Sequence, residues 1–423
     1  MPAQTTLLRS VVQRLPCTFL TFLILAILAA WPGRPAQAQP DPYLPHGNCD
    51  GFPRVDLQTP AGLCVGLVAS GLGFPRGVAV RGDTIYVADM GGWHHAQGQL
   101  LALSHNGHDK PKILLAQLDR PNGLTFGADG QLYISFPDHI ARIVLHPNGT
   151  ADQQTVLTGL PGTGRNPLPA LVAGPDGTLY VSVGSATNNC ETETGKAPDA
   201  TRRCTETEEK PPRAAILRFR PGPATLTAGS GDVVATGLRN PMALTVLPGG
   251  ALLAAVNARD SIDSTDPTLS DGDLPHDTWQ IIRKGADYGW PYCYDNARPA
   301  PEYPDHNCAA TTRPDLLLPA HAAPLGMILY DRTTLPGLRN HLLITYHGYR
   351  STGHQVMSLA VRPNGKPTGT PQPVIRGWRD LSDSDGPAGA PTGLAIMADG
   401  TLLITEDHNG TLLRLAVEQH PTH

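Results

Sequence analysis

One arrangement of apolar and polar positions recurs six times along the chain: a Pro, two or three residues, a short apolar run, a turn containing Gly or Asp-Gly, and a second apolar run. The copies read PRGVAVRGDTIYVAD from Pro75, PNGLTFGADGQLYISF from Pro121, PALVAGPDGTLYVSVG from Pro169 and PMALTVLPGGALLAAVN from Pro241. The fifth, PLGMILYD from Pro324, has its second run displaced to LLITYHG, and the sixth reads PTGLAIMADGTLLITED from Pro391. Alternating apolar runs joined by Asp-Gly or Gly-Gly predict hairpins, because the tight turns need residues that tolerate positive φ. A lone hairpin cannot bury both faces, so repeats spaced 46 to 83 residues apart predict blades stacked around an axis. The fold expected is all-β, a six-bladed β-propeller over 71–418 with loop insertions around Cys190 to Cys204 and Asp260 to Cys308. Small sandwiches in series are the alternative and would need linker stretches that the sequence lacks.

Composition agrees. The 45 Gly and 42 Pro among 423 residues are more breakers than helix interiors absorb, which excludes a helical bundle. With 40% hydrophobic and 16% charged residues there is ample material for a core. A formal net charge of -5 offers no field for gathering nucleic acid.

Residues 1–38 have the layout of a secretory signal peptide: Arg9 and Arg14, the apolar run Phe19 to Ala30, then Ala36-Gln37-Ala38 as a small-x-small cleavage site. The run is short for a membrane span of about 20 residues, and a retained N-terminal anchor is the alternative. No later segment is apolar enough to cross, so the expectation is a periplasmic or secreted protein with no stable span. Residues 39–70 form an N-terminal extension. Cys17 leaves with the leader, and six cysteines remain in three local pairs, 15, 14 and 15 residues apart. Local closure predicts disulfides Cys49-Cys64, Cys190-Cys204 and Cys293-Cys308. A zinc site is disfavoured, since no two cysteines stand two to four apart.

In a propeller the loops entering the innermost strands face the mouth of the axial channel. Side chains beside the Pro anchors, Arg76, Arg120, Asn122, Arg239, Asn240 and Thr392, therefore converge from around the ring on a polar, partly cationic spot. Here the chain resembles the soluble pyrroloquinoline quinone (PQQ) dependent glucose and sorbosone dehydrogenases. The resemblance runs from about Phe74 to Leu415. It is carried by GLRNP (Gly237 to Pro241), YGWPYCYD (Tyr288 to Asp295), GPDGTLYVSVGS (Gly174 to Ser185), HAAPLG (His321 to Gly326) and HGYRSTGH (His347 to His354). The GPDG turn is common among propellers; RNP followed about fifty residues later by YGWP is much more specific.

PQQ carries three carboxylates and an ortho-quinone, and needs Arg or Lys forks and a cation near the quinone oxygens. The resemblance implies that Arg239 and Asn240 contact the cofactor, with His347 or Arg350 doing so from the fifth blade. It also implies Ca2+ held by main-chain oxygens in Asn257-Ala258-Arg259-Asp260, making Arg259 and Asp260 the candidate metal positions. An Arg in a blade-entry loop, taken alone, is more often a surface ion pair. Asp260, Asp263, Asp266, Asp271, Asp273 and Asp277 form an acidic loop just beyond, readable as hard oxygen ligands for calcium or as a solvated turn.

Two positions depart from the family. Its general base is a His nine residues before the Pro of the third-blade turn; here that Pro is Pro175 and the position holds Asn166, which cannot accept a proton. In the last blade the family places Arg beside the Pro anchor, and this chain has Ala390 and Thr392. His321 and His347 are candidate substitutes for the base. His94 and His95 are a further pair, readable as surface residues or as an adventitious metal contact.

The expected function is an exported PQQ- and calcium-dependent dehydrogenase oxidising aldose sugars or related aldehydes. It would pass electrons to an external acceptor, a quinone or cytochrome, because the chain has no CxxCH heme motif. The alternative is a propeller that has lost catalysis with its base and keeps a ligand- or partner-binding surface. A lactonase-like metal hydrolase ranks last, since no acid stands beside a Pro anchor. No nucleophile elbow, P-loop or dinucleotide fingerprint appears.

Overall fold

Each of the six Pro-anchored repeats forms a hairpin, and each hairpin supplies the two inner strands of a separate sheet. The computed structural model describes residues 43, 45–192, 195–229, 232–378 and 389–419; the signal-peptide reading of 1–38 lies outside them. Blade 1 runs outward through Pro75–Arg81, Thr84–Asp89, Gly98–Leu103 and Lys112–Leu118. The inner pairs of the next four are Leu124–Phe126 with Leu132–Ser135, Leu171–Ala173 with Leu179–Val183, Asn240–Val246 with Leu252–Asn257, and Pro324–Tyr330 with His341–Tyr346. Blade 6 starts with Pro391–Ile396, Leu402–Glu406 and Thr411–Val417. The architecture is the six-bladed propeller that the repeats predict.

The turns form for the reason read from sequence. Gly177 has φ +82, and the Asp176 carboxylate accepts the Thr178 N–H at 3.1 Å. Asp129 with Gln131 at 3.0 Å and Asp399 with Thr401 at 2.9 Å repeat the device.

Burial is organised between blades. Ala79, Tyr86 and Ala88 of blade 1 pack with Leu124, Leu132 and Ile134 of blade 2, and five further apolar clusters fill the remaining blade junctions around the ring. At the axis the inner strands come so close that side chains are excluded. A Cβ on Gly326 would lie 2.2 Å from Thr392 O, and one on Gly393 2.3 Å from Arg76 O.

The 39–70 stretch supplies three strands, Asn48–Cys49, Phe52–Val55 and Leu63–Ala69, to the sixth sheet. Leu63–Ala69 pairs antiparallel with Thr411–Val417, so the first part of the ring is stitched to the last. All three local disulfides are present: Cys49–Cys64, Cys190–Cys204 and Cys293–Cys308. Among the described residues no helix is long and apolar enough to cross a membrane.

Candidate functional site

Strand order fixes which loops share a face. Pro75 pairs with Asp89, Asn240 with Asn257, Pro324 with Tyr346 and Pro391 with Glu406, so the start of each inner strand and the end of the next lie at the same rim. There a cavity of 410 Å³ opens, lined by Arg165 and Asn166 from the loop entering blade 3, and by Arg239 and Asn240 entering blade 4. Asn257, Ala258, Asp260 and Asp277 line it from the long loop of blade 4, and His321, Ala323, His347, Tyr349 and Arg350 from blade 5. The structure thus brings together Asn166, Arg239, Asn240, Asp260, His321, His347 and Arg350.

Arg239 is buried and clasped by the protein. Its Nε donates to Asn188 O at 3.0 Å, its Nη2 to Asn188 Oδ1 at 2.8 Å, and its Nη1 to Ala258 O at 2.6 Å and Asn257 O at 3.4 Å. Burial lowers the guanidinium to about 10, so it remains a cation at neutral pH. Asp260 receives Arg165 Nη2 at 2.8 Å and stands 3.4 Å from His321 Nδ1. Burial pushes this carboxyl up, but His321, Arg239 and Arg165 outweigh it and hold Asp260 well below the usual range. The His321 ring is engaged at both nitrogens: Asp260 on one side, Asp271 O at 2.6 Å on the other. The bond to Asp260 is the main reason its pKa is raised. Arg350 donates to Asp271 at 2.6 Å.

His347 is held differently. Its Nε2 lies 3.0 Å from both oxygens of Asp407, and Arg76 Nη1 donates to the same carboxylate at 2.5 Å. Asp407 is buried at 1% exposure, and despite that burial His347 and Arg76 keep it below its ordinary value. A carboxylate accepting from Nε2–H leaves Nδ1 as the imidazole's lone-pair nitrogen. Asn166 donates its amide to Ser185 O at 3.2 Å and Ser185 Oγ at 3.0 Å, and offers no proton acceptor of use at neutral pH.

The other sequence candidates stand outside the cavity. Arg76 has its Nε on Asn122 Oδ1 at 3.1 Å, and Thr392 Oγ1 is taken by Thr405 Oγ1 at 2.8 Å and Pro75 O at 3.1 Å. Arg259 turns away to pair with buried Glu302. Arg120 pairs with its neighbour Asp119, and exposed His95 approaches the same acid at 3.0 Å. The acidic loop is dispersed: Asp266 caps Thr268, Asp271 pairs with Arg350, and Asp263 and Asp273 are exposed. Among the described residues the one group of three potential metal ligands is Cys190, Cys204 and Glu206, whose cysteines form a disulfide.

Asp277 carries more than the acidic loop showed in sequence. It is buried, accepts Ala258 N at 2.7 Å and Ala323 N at 2.6 Å, and so ties the end of one inner hairpin to the start of the next. Burial raises it to about 6. Glu406 plays a similar part in blade 6, accepting Ala390 N at 2.8 Å, Asn409 N at 3.0 Å and Thr411 Oγ1 at 3.0 Å, and burial raises it to about 8. A raised carboxyl binds its proton more tightly folded than unfolded. Its contribution to stability is complete below the ordinary value of 4.5 and lost as pH rises through about 8. The melting temperature is therefore expected to fall between pH 6 and 8, and Glu406→Gln, which mimics the protonated acid, to flatten that fall. An unchanged slope in thermal melts of the variant would count against Glu406.

Fold and cavity define a six-bladed propeller with a polar, guanidinium-rich site at the axial mouth. Residues 124–347 match the family model described as Glucose / Sorbosone dehydrogenase, and the chain belongs to that family. No curated protein matches the chain. Among solved structures it is similar to a carbohydrate-active enzyme of family AA12 from Trichoderma reesei, with TM-score 0.69 and 21% identity over 88% of this chain and 100% of that one. The PQQ domain of pyranose dehydrogenase from Coprinopsis cinerea, in its holo form, gives 0.66 and 19% over 87% and 99%. PQQ-bound aldose sugar dehydrogenase from Streptomyces coelicolor gives 0.54 and 16% over 85% and 100%. At these identities the likeness is one of fold.

Proposed function

We propose that the chain is an exported PQQ-dependent dehydrogenase of aldose sugars or related aldehydes, with electrons leaving to an external acceptor. The observation that carries the reading is the axial cavity, in which Arg165, Arg239, Arg350, Asn240 and His347 converge. The donor set fits an anionic quinone. Arg165 and Arg350 are about half exposed, each with one close carboxylate partner, and are free to turn to a ligand. Asn240 and Asn257 each bury an Oδ1 that no protein group satisfies, a cost that a polar occupant of the cavity, water or ligand, can relieve. The main-chain oxygens of Asn257, Ala258 and Asp260 do not fit calcium in the same way, since Arg239 and Asn188 already donate to them.

A quinone bound there supplies a two-electron acceptor for the hydride of the substrate's C–H bond. The chain must then accept the hydroxyl proton. Asn166 cannot, His321 has both ring nitrogens engaged, and Asp277 is bonded at both oxygens to backbone N–H groups. His347 remains, oriented by Asp407 as a base by its positioning carboxylate, with Nδ1 to take the proton. Arg239 and Asp277 hold the loops that wall the site, and Arg76 fixes Asp407.

The second reading, a propeller that binds without catalysis, is favoured by one observation: Asn166 at the family's base position is spent on Ser185. Adding PQQ to purified protein, and following absorbance and dye reduction with a panel of aldoses, separates the two. Saturable uptake with turnover is expected. Uptake without turnover, with activity gained by Asn166→His, would remove His347 from the role of base. No uptake would leave the binding module.

A further inference from the structure

We propose that this chain does without calcium at its axial site, because the buried guanidinium of Arg239 already occupies the main-chain oxygens where the ion would have to sit. The inference rests on the quinone reading of the cavity only for what the cation serves.

A calcium ion needs six to eight oxygens at 2.3–2.6 Å, several of them from one turn. In the turn after Leu252–Asn257 the main-chain oxygens of Asn257, Ala258, Asp260 and Ser261 already accept protein donors. Arg239 Nη1 lies 2.6 Å from Ala258 O and 3.4 Å from Asn257 O. Two residues further along, Asp260 O accepts Asn188 Nδ2 at 2.8 Å and Arg259 Nε at 3.3 Å. Ser261 O accepts Ser264 Oγ at 2.7 Å and Arg259 Nη2 at 3.2 Å. The Asp260 carboxylate, the one anion of the turn that reaches the cavity rim, is bonded to Arg165 and lies 3.6 Å from Arg239.

Nor can Arg239 step aside cheaply. Four of its N–H groups are bonded, and Asn188, which clasps Nε and Nη2, is itself fixed by Asp260 N at 2.9 Å and Trp290 Nε1 at 3.1 Å. Arg239 is 5% exposed, and releasing it would leave a buried cation without partners and take the donor from the Asn257 and Ala258 carbonyls. Seating a divalent ion on the same carbonyls would place two cations side by side where water screens them poorly. The fixed guanidinium thus supplies the positive charge at the place where the resemblance puts an ion. It does so as charge rather than as a hydrogen-bond fork, because four of its five donors are spent.

The test is calorimetric titration of Ca2+ into metal-free protein, with PQQ affinity measured by quenching of tryptophan fluorescence in excess EGTA and in excess calcium chloride. Expected are no stoichiometric micromolar calcium uptake and a PQQ affinity that differs less than about twofold between the two conditions. Stoichiometric uptake, or an affinity about tenfold or more tighter in calcium, overturns the inference. Arg239→Met frees both carbonyls and should make PQQ uptake calcium-dependent. Should that variant fail to fold, the wild-type titrations still decide. If PQQ does not bind under either condition the quinone reading falls, while the calcium titration judges this inference by itself.

Discussion

His347→Ala is expected to lower turnover of an aldose with an artificial dye by roughly 10²–10⁴-fold, the usual worth of a positioned general base. The loss should appear in kcat, with PQQ uptake changed only a few-fold, because the cavity keeps Arg165, Arg239 and Arg350. Asp407 is buried, receives Arg76 at 2.5 Å, and so is a fixed carboxylate that holds His347 through Nε2 in one tautomer. His321 faces the same cavity but is engaged at both nitrogens, and its raised pKa means that it more often carries its proton already, so it has no free lone pair to take the substrate's. His321→Ala should therefore cost less than about tenfold in kcat, on the same scale. Partial rescue of His347→Ala by added imidazole is the readout that a purely structural role would not give. If His321→Ala proves the more damaging of the two, the assignment of His347 fails.

The parts of this site visible in sequence are those set by strand periodicity. Once Pro anchors and Asp-Gly turns define six hairpins, the residue before an anchor and the residues after a second strand must lie at one rim, and Asn240, His347 and Asp260 do. Direction within an inner strand was harder to read. Arg76, Asn122 and Thr392 each follow their Pro by one residue, and side chains alternate with a period of two. All three are used in bonds to neighbouring blades, Arg76 to Asn122, Asn122 to Pro169 O and Thr392 to Pro75 O, rather than in the cavity. Arg259 was misleading for a related reason: its partner, Glu302, is 43 residues away in a loop with no repeat to place it. The spending of Arg239 on carbonyls was equally hidden, since motif spacing says where a guanidinium is and not which acceptors reach it first. The cysteine pairs were legible because each closes locally, and no long-range topology was needed.

Removing residues 39–70 is expected to abolish the folded state rather than trim an appendage. The stretch reads in sequence as an extension, because it lacks the Pro-anchored hairpin of the blades. Its strand Leu63–Ala69 nevertheless occupies the place beside Thr411–Val417, with Leu63 opposite Val417 and Val65 opposite Leu415. Phe52, Val55, Leu57, Leu63, Val65 and Leu67 are all buried, five of them in the cluster between blades 5 and 6. At roughly 1.5–3 kcal/mol for each large apolar side chain, their loss amounts to roughly 9–18 kcal/mol. That is as large as the roughly 5–15 kcal/mol by which a typical domain is stable. The truncation also bares the edge of Thr411–Val417, a row of unpaired backbone groups open to other chains. A chain starting at residue 71 should thus be recovered as aggregate, or melt without a cooperative transition, when compared with one starting at residue 39. A soluble, cooperatively melting product of that truncation, with a melting temperature near that of the longer chain, would show that the ring closes without its N-terminal strand. Breaking Cys49–Cys64 alone by Cys49→Ala and Cys64→Ala separates the strand from its crosslink: it should cost about 3 kcal/mol and leave the ring closed.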